Sequence, residues 1–314
     1  MGLSGIVLVT GGAGFIGSHI VEALVERGAR VRVVDNLSTG YVRNLDAVND
    51  KVDFFEGDLA DESIARKVVE DVELIFHEAA LPSVPRSVAN PRETHRASVD
   101  ATFNLLLAAK DRRVRRVVYA ASSSAYGDQP TSPKYESMRP EPLSPYAAAK
   151  LIAEYYCQVF TRSYGLETVC LRYFNVFGPR QDPSSPYSGV ISQFIDRLLK
   201  GQRPIIYGDG EQTRDFTYVR NAVEANMRAG ESSRGIGEVI NIANGEQVSI
   251  NQLFHRVRQV LGRDEIEPEY QPARTGDILH SLADISRARE YLGWEPRIRL
   301  EEGLRLTVES ASGG

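Results

Sequence analysis

The sequence has 314 residues, of which 42% are hydrophobic and 25% are charged, and its net charge is −5 at pH 7. A chain of this length can form one large α/β domain or two smaller ones. The negative charge argues against nucleic acid or an anionic membrane surface as a general partner. No apolar run is long enough to cross a membrane, and the N-terminal residues do not resemble a signal peptide. The two cysteines, Cys157 and Cys170, have no metal-ligand spacing, so we expect a reduced, cytoplasmic protein without a metal.

Short apolar runs alternate with helix-period segments over the first 172 residues. Strands are predicted at 5–10, 30–35, 51–58, 73–80, 115–123 and 167–174. Helices are predicted at 16–27, 61–70, 95–111 and 145–163. This alternation indicates right-handed βαβ crossovers and an α/β fold with a parallel sheet covered on both faces.

The pattern changes after residue 175, where a Pro/Gly/Ser-rich segment, 178–189, predicts a loop that shapes a site. Later helices are predicted near 190–200, 219–229, 249–262 and 284–292, with strands at 204–207 and 238–244. We therefore expect a doubly wound Rossmann domain over 1–174, to which about 213–243 returns. Residues 175–212 and 244–314 would form a smaller C-terminal α/β lobe that binds substrate, ending in a frayed tail.

Gly11, Gly14 and Gly17 lie between the first strand and an amphipathic helix. Glycines at this spacing allow a tight turn, close approach of a pyrophosphate to the backbone, and close helix–sheet packing. Asp35 ends the second strand, where a carboxylate accepts hydrogen bonds from a ribose diol and repels a 2′-phosphate. The pattern predicts NAD rather than NADP. Asp58, after the third strand, fits a helix cap and an adenine contact equally well.

Ser144 and Pro145 predict the start of a helix on which Tyr146 and Lys150 share one face. A pair of this kind is usually only a surface contact. However, three serines at 122–124 follow the fifth strand, where ligands of doubly wound sheets bind. The combination predicts a catalytic site in which the ammonium, with a nicotinium ring, lowers the phenol pKa from its ordinary value of about 10.

Six further segments are long, ordered and specific. They are AALPSVPRS (79–87), YAASSSAYGD (119–128), LSPYAAAK (143–150), LRYFNVFGPRQDP (171–183), YGDGEQTRDFTYV (207–219) and GDILHSLADISRA (276–288). Over essentially its whole length the sequence resembles the extended short-chain dehydrogenase/reductase family. The likeness is greatest to its NAD-dependent UDP-N-acetylglucosamine and UDP-glucose 4-epimerases.

The resemblance implies a mechanism. Tyr146, as phenolate, would take the proton from the sugar 4-hydroxyl while the C4 hydride passes to NAD. Ser122 would hold the same oxygen, and Lys150 would bind the nicotinamide ribose. The 4-keto sugar would turn over and regain hydride on its opposite face, so NAD would stay bound as a prosthetic group.

The resemblance also implies two sets of binding residues and a homodimer through the helices near 95–111 and 145–163. The cofactor set is Gly11, Gly14, Phe15, Ile16, Gly17, Asp35, Asn36, Ser38, Gly40, Asp58, Leu59, Ala79, Ala80, Tyr146 and Lys150. The UDP-sugar set is Val84, Arg86, Ser123, Ser124, Tyr146, Asn175, Val190, Tyr207, Arg214, Arg274, Asp277 and Ser281. Within it, Arg214 and Arg274 would bind the diphosphate and Tyr207 would lie beside uracil.

Two positions depart from patterns common in the family. Ser98 stands where an asparagine often contacts the cofactor, which puts the grip on the cofactor in some doubt. Ser281 stands where a tyrosine restricts some members to unacetylated sugars. The small serine leaves room for a 2-acetamido group. We therefore expect N-acetylated substrates, alongside UDP-glucose and UDP-galactose.

Three alternatives follow from the same motifs. A 4,6-dehydratase would need an Asp-Glu pair where Ser123 and Ser124 stand, which argues against dehydration. A UDP-glucuronate 4-epimerase or decarboxylase needs a group for the sugar carboxylate; Asp182 would repel it, but Arg86 is able to bind it. A catalytically inactive NAD-binding regulator would keep the glycines and lose the tyrosine or the lysine, and both are present.

Overall fold

The computed structural model describes residues 5–183, 189–273 and 278–312. The strands of these ranges are β1 Ile6–Thr10, β2 Arg30–Asp35, β3 Val52–Glu56, β4 Val72–His77, β5 Arg116–Ser122, β6 Glu167–Tyr173, β7 Val176–Phe177, β8 Ile205–Tyr207, β9 Thr213–Arg214, β10 Thr217–Tyr218, β11 Val239–Ile242, β12 Val248–Ser249 and β13 Glu269–Gln271. The α-helices are α1 Phe15–Glu26, α2 Glu62–Val68, α3 Val84–Ala89, α4 Pro91–His95, α5 Ala101–Asp111, α6 Pro145–Tyr164, α7 Val190–Leu199, α8 Val219–Glu231, α9 Ile250–Leu261, α10 Ser286–Leu292 and α11 Leu300–Ser312.

In the described part of the chain, a seven-stranded parallel sheet forms the centre, in the order β11-β6-β5-β4-β1-β2-β3. Its strands are rich in Val, Ile and Leu, because a parallel sheet is covered on both faces. The strand order reverses between β1 and β4, and ligands of doubly wound sheets bind at such a switch point. The predicted doubly wound α/β fold is confirmed.

Two hydrophobic cores cover the faces of the sheet, one against α1 and α8 and the other against α2, α5 and α6. A third core joins α7, α9 and α11, with Phe194, Phe254 and Leu304 at its centre. The edge strand β11 comes from the C-terminal half and pairs with β6, in register from Val239 with Cys170. These packing units fit the division into two lobes, whose boundaries stay a prediction.

Three local features differ from the sequence expectations. The helix expected at 95–111 is divided, since a π-helical turn at Arg96–Asp100 joins α4 to α5. A 3₁₀-helix at Val42–Lys51 fills the connection before β3. The final helix α11 was not predicted, and it continues to Ser312, into the residues expected to fray. No helix of the described ranges has the length and apolar character needed to cross a bilayer.

The helix that carries Tyr146 begins as its sequence predicts. The Ser144 hydroxyl accepts a hydrogen bond from the Ala147 amide (3.1 Å), and Pro145 occupies the first turn. A buried ion pair fastens α6 to β6: Arg172 donates from Nε and Nη2 to the two carboxylate oxygens of Glu154 (2.9 and 2.7 Å). Both side chains are only 2% exposed, and their bidentate contact fixes the position of α6 relative to β6.

Glu154→Gln should lower the free energy of unfolding by about 3 kcal/mol, because it leaves the Arg172 charge buried without its counter-ion. Urea unfolding followed by circular dichroism measures this change. Glu62→Gln is the matched control: Glu62 pairs with Arg66 on an exposed helix face, so its shift should stay within about 0.5 kcal/mol. Equal shifts for the two variants would contradict this interpretation.

Candidate active site

A cleft of about 830 Å³ opens at the carboxyl ends of the central strands. Parallel strands end at the same edge of a sheet, so residues that follow β1, β2, β4 and β5 meet here. The predicted site residues that line this cleft are Gly11, Gly14, Phe15, Ile16, Gly17, Asp35, Asn36, Ser38, Asp58, Leu59, Ala79, Ala80, Arg86, Ser122, Ser123, Ser124, Tyr146, Lys150, Asn175, Arg214 and Ser281. The cleft thus joins most of both predicted sets in one continuous site.

Four predicted residues do not line the cleft. Gly40 packs behind it, against the Ala13 backbone and the Asp35 carboxylate. Val84 is 43% exposed on α3. Val190 packs against the third core, and Tyr207 lies in β8, paired with β13. Arg274 and Asp277 lie outside the described residues.

The glycine turn after β1 leaves no space for side chains. Gly11 has φ +64°, and a Cβ there would come within 2.8 Å of the Ala79 backbone. A Cβ on Gly17 would lie 2.2 Å from the Gly11 carbonyl oxygen. The first turn of α1 therefore approaches the end of β1 closely, and its N–H groups lie at the cleft. This cradle fits the pyrophosphate of a dinucleotide.

The Asp35 carboxylate is fixed by the backbone around it. It accepts hydrogen bonds from the Ala13 amide (3.0 Å) and the Leu37 amide (2.8 Å). Burial raises the pKa of Asp35, and these two amide bonds oppose the rise. Each oxygen keeps a lone pair for a further donor, as a ribose diol requires. The arrangement fits NAD.

The structure separates the two interpretations of Asp58. The N-cap of α2 is Asp61, whose carboxylate accepts from the Ser63 amide (2.8 Å), so a capping role for Asp58 is wrong. Asp58 lines the cleft and accepts a hydrogen bond from Arg96 (2.6 Å). The adenine contact stays a prediction.

Ser122, Tyr146 and Lys150 lie on one wall of the cleft. The Ser122 hydroxyl caps a short 3₁₀-helix, accepting from the amide (3.2 Å) and hydroxyl (2.8 Å) of Ser124. Lys150 donates from Nζ to the Ala120 carbonyl (2.7 Å), and its Nζ lies 5.0 Å from the ring centroid of Tyr119. Strand β5 therefore positions both the serine and the ammonium.

The expected lowering of the Tyr146 pKa by Lys150 and a nicotinium ring stays a prediction. Burial raises the pKa of Tyr146, and Ser122 acts in the opposite direction. Burial also lowers the pKa of Lys150, while the negative charge of Glu78 raises it. The hydrogen bond from the lysine ammonium to the Ala120 carbonyl was not predicted from the sequence.

Glu78 and Tyr173 are cleft residues that the sequence analysis missed. The Tyr173 hydroxyl donates to Glu78 Oε1 (2.8 Å), and Asn226 Nδ2 donates to the Tyr173 oxygen (2.6 Å). The available signal was a charged residue at the carboxyl end of a buried strand, inside the segment ELIFHEAA at 73–80.

A second missed network runs under the cleft. His77 Nδ1 accepts from the Thr10 hydroxyl (2.7 Å), and His77 Nε2 donates to the Thr102 oxygen (2.9 Å), whose proton goes to the Ser98 carbonyl (2.5 Å). Burial lowers the pKa of His77 to about 3, which keeps the ring neutral. The hydroxyl of Ser98 is buried without a partner in the described ranges, and Ser98 does not line the cleft. Whether Ser98 takes over the cofactor contact of an asparagine or leaves it to water stays a prediction.

The far side of the cleft is organised by Asp215. Its buried carboxylate accepts from the amides of Asn244 (2.9 Å), Gly245 (3.1 Å) and Ala283 (3.2 Å). The neighbouring residue Arg214 lines the cleft, as does Ser281, two residues before Ala283. Asp215 thus holds the segments that carry Arg214 and Ser281 on the same side.

Residues 178–183, called the strap below, connect the second lobe to the glycine-turn side. The Tyr41 hydroxyl donates to Asp182 (2.7 Å), and Arg180 donates to the Ser18 hydroxyl (3.1 Å). Arg180 also pairs with Glu22 on α1. The strap therefore lies across one end of the cleft.

The model of the NAD dependent epimerase/dehydratase family matches residues 7–243. The chain belongs to this family. NAD is accordingly its cofactor, and the glycine turn and Asp35 fit that cofactor. The resemblance stated from the sequence is confirmed.

Solved structures and curated relatives of the family are similar to the chain over nearly its whole length. UDP-N-acetylglucosamine 4-epimerase from Methanobrevibacter ruminantium M1, in complex with UDP-N-acetylmuramic acid, is 45% identical with a TM-score of 0.94, covering 98% of each chain. UDP-glucose 4-epimerase from Thermotoga maritima, with UDP-glucose, is 42% identical with a TM-score of 0.94, covering 98% of this chain and 99% of the other. A UDP-glucuronate 4-epimerase of Thermodesulfobacterium geofontis is 35% identical over 97% of this chain and 95% of its own length.

Proposed function

We propose that the protein is an NAD-dependent UDP-sugar 4-epimerase, an isomerase, that interconverts UDP-N-acetylglucosamine and UDP-N-acetylgalactosamine and also accepts UDP-glucose and UDP-galactose. The observation that carries this proposal is that Tyr146, Ser122 and Lys150 line the same cleft as the glycine turn. A phenol and a hydroxyl that line the same cleft can both reach one substrate oxygen, as removal and return of a hydroxyl proton require.

Each residue then has one task. Tyr146 takes the proton of the sugar 4-hydroxyl and later returns it, and Ser122 holds that same oxygen. Lys150 binds the nicotinamide ribose and adds positive charge near the phenol. Bound NAD supplies the hydride acceptor and a positively charged ring that favours the phenolate. Because the proton and the hydride both return to the sugar, the protein ends each cycle unchanged.

The strap supports NAD as a prosthetic group. Tyr41 and Asp182 come from different lobes, and their hydrogen bond lies beside the cleft that both residues line. The ion pair of Arg180 with Glu22 fastens the strap to the helix of the glycine turn. Release of a dinucleotide would require these contacts to separate, so we expect NAD to remain bound between cycles.

Arg86 is already paired with Glu93, and this pairing favours a neutral sugar over UDP-glucuronate as the substrate. Arg86 lines the cleft, but its Nε donates to Glu93 (3.2 Å) and its Nη2 pairs with the other oxygen of the same carboxylate. Asp182 adds negative charge at the same cleft. A sugar carboxylate would have to displace Glu93 to reach Arg86. UDP-glucuronate 4-epimerisation or decarboxylation therefore stays the second candidate.

We also propose a homodimer through the helices at 95–111 and 145–163. On α6, Ile152, Tyr155 and Val159 follow a helical spacing, and each is between 39% and 48% exposed. Such an apolar stripe on a helix is typical of a surface that a second copy covers.

Tyr146→Phe should reduce turnover by about a thousandfold, because it removes the group that transfers the proton. Nucleotide content after purification should stay near that of the unmodified protein, since the ring remains. Tyr155→Phe, a half-exposed phenol on the same helix, is the matched control and should keep full turnover. Loss of turnover and nucleotide binding together would indicate a structural role for Tyr146. Undiminished turnover would contradict the proposal that Tyr146 transfers the proton.

Separate incubations with UDP-N-acetylglucosamine, UDP-glucose and UDP-glucuronate, with C4 epimers resolved by chromatography, test the substrate class. We expect turnover of the first two. Ser281→Tyr should remove turnover of the acetylated sugar and keep that of UDP-glucose, because the larger side chain fills the space for the acetamido group. Ser312→Tyr, at the end of α11, is the control. Turnover of UDP-glucuronate alone would contradict the proposal.

A further inference from the structure

Glu78 is an acidic residue of the cleft wall that the mechanism above does not use. It directly follows β4, and its carboxylate accepts the hydroxyl of Tyr173 (2.8 Å) on β6. Asn226 on α8 supports that tyrosine, donating to the phenol oxygen (2.6 Å) and to the Ala222 carbonyl (2.9 Å). Successive hydrogen bonds from Asn226 on α8 to Tyr173 on β6, and from Tyr173 to Glu78, therefore hold the Glu78 carboxylate in place.

The register of the sheet brings this carboxylate to the lysine of the active site. His77 pairs with Tyr119, so Glu78 lies level with Ala120 on the neighbouring strand. The Ala120 carbonyl is the acceptor of Lys150 Nζ (2.7 Å). The Glu78 carboxylate and the Lys150 ammonium therefore both lie at the carboxyl ends of two adjacent strands and line the same cleft, a partly desolvated site where opposite charges stabilise each other.

We propose that Glu78 is a positioning residue: its carboxylate keeps Lys150 in the ammonium form, and Tyr173 and Asn226 hold the carboxylate where it does so. This proposal rests on the proposed function, in which the ammonium of Lys150 contributes to the reaction at Tyr146.

The need for such a residue follows from burial. Lys150 is only 5% exposed, and burial lowers its pKa, so the buried amine tends to lose its proton. Among the described groups that act on it, Glu78 and Cys157 raise that pKa. Burial raises the pKa of Glu78, while Tyr173 and Lys150 lower it. Removal of the Glu78 charge should therefore let Lys150 lose its proton at lower pH.

Glu78→Gln tests this directly, since glutamine keeps the size of the side chain and an acceptor for Tyr173 but carries no charge. The chain has six lysines, so ¹³Cε-labelled lysine gives a resolvable NMR titration of the protein as purified with its bound nucleotide. The Lys150 signal is the one missing from Lys150→Met. We expect the pKa of Lys150 to fall by about one unit, a tenfold loss of ammonium relative to free amine.

Glu136→Gln is the matched control. The Glu136 side chain is 4% exposed and faces Arg287 and the Asn241 amide, away from the cleft, so this variant should leave the Lys150 titration unchanged. Tyr173→Phe should shift the Lys150 titration in the same direction as Glu78→Gln but less, because the carboxylate loses its donor and becomes easier to protonate. It carries the test if Glu78→Gln does not fold.

The pH profile of turnover gives a second result. In Glu78→Gln, activity should fall at a lower pH than in the unmodified protein, while the two agree at the acidic end of the profile. Equal titration of Lys150 in the unmodified protein and Glu78→Gln, or in Tyr173→Phe where that variant is used, would overturn the proposal. The NMR titration needs no substrate, so a failure of the unmodified protein to epimerise UDP-sugars would overturn the proposed function alone.

Discussion

The proposed active site depends on one constraint: α6 must keep a fixed position relative to the strands of the sheet. Tyr146 comes from this helix and Ser122 from β5, and in the proposed mechanism the two must reach the same substrate oxygen. Two contacts fix this position. Glu154 on α6 forms a buried ion pair with Arg172 on β6, and Lys150 on α6 donates to the Ala120 carbonyl of β5. A small displacement of α6 would separate the phenol from the serine.

Burial disfavours charged side chains at this site. It raises the pKa of Tyr146 and lowers that of Lys150, which disfavours both charged forms that the proposed reaction uses. Two neighbours act against these shifts: Ser122 lowers the pKa of the phenol, and Glu78, in our proposal, keeps the lysine charged. Each neighbour is itself held by a hydrogen bond from another residue, Ser124 or Tyr173. The catalytic groups are therefore tuned by neighbours that are fixed before substrate arrives.

The sequence was sufficient for features that depend on local chain chemistry. The glycine turn, Asp35 and the N-cap of α6 each involve residues that are close together in the chain. The residue types at these positions indicate the local geometry. Contacts between distant strands were not predictable in this way. Glu78 meets Tyr173 only because β4, β5 and β6 are neighbours, and Tyr41 meets Asp182 only because the strap crosses the cleft. Spacing on one helix also did not show that the ammonium of Lys150 donates to a carbonyl of β5.

The most direct test of the account follows the hydrogen at C4. UDP-N-acetylglucosamine with deuterium at C4 of the sugar is incubated with the protein in ordinary water without added NAD. The epimer is then isolated, and its mass is measured by mass spectrometry. The account predicts that the product keeps its deuterium, because the hydrogen is held by the bound cofactor and returned to the same sugar. Loss of the deuterium to water would contradict it.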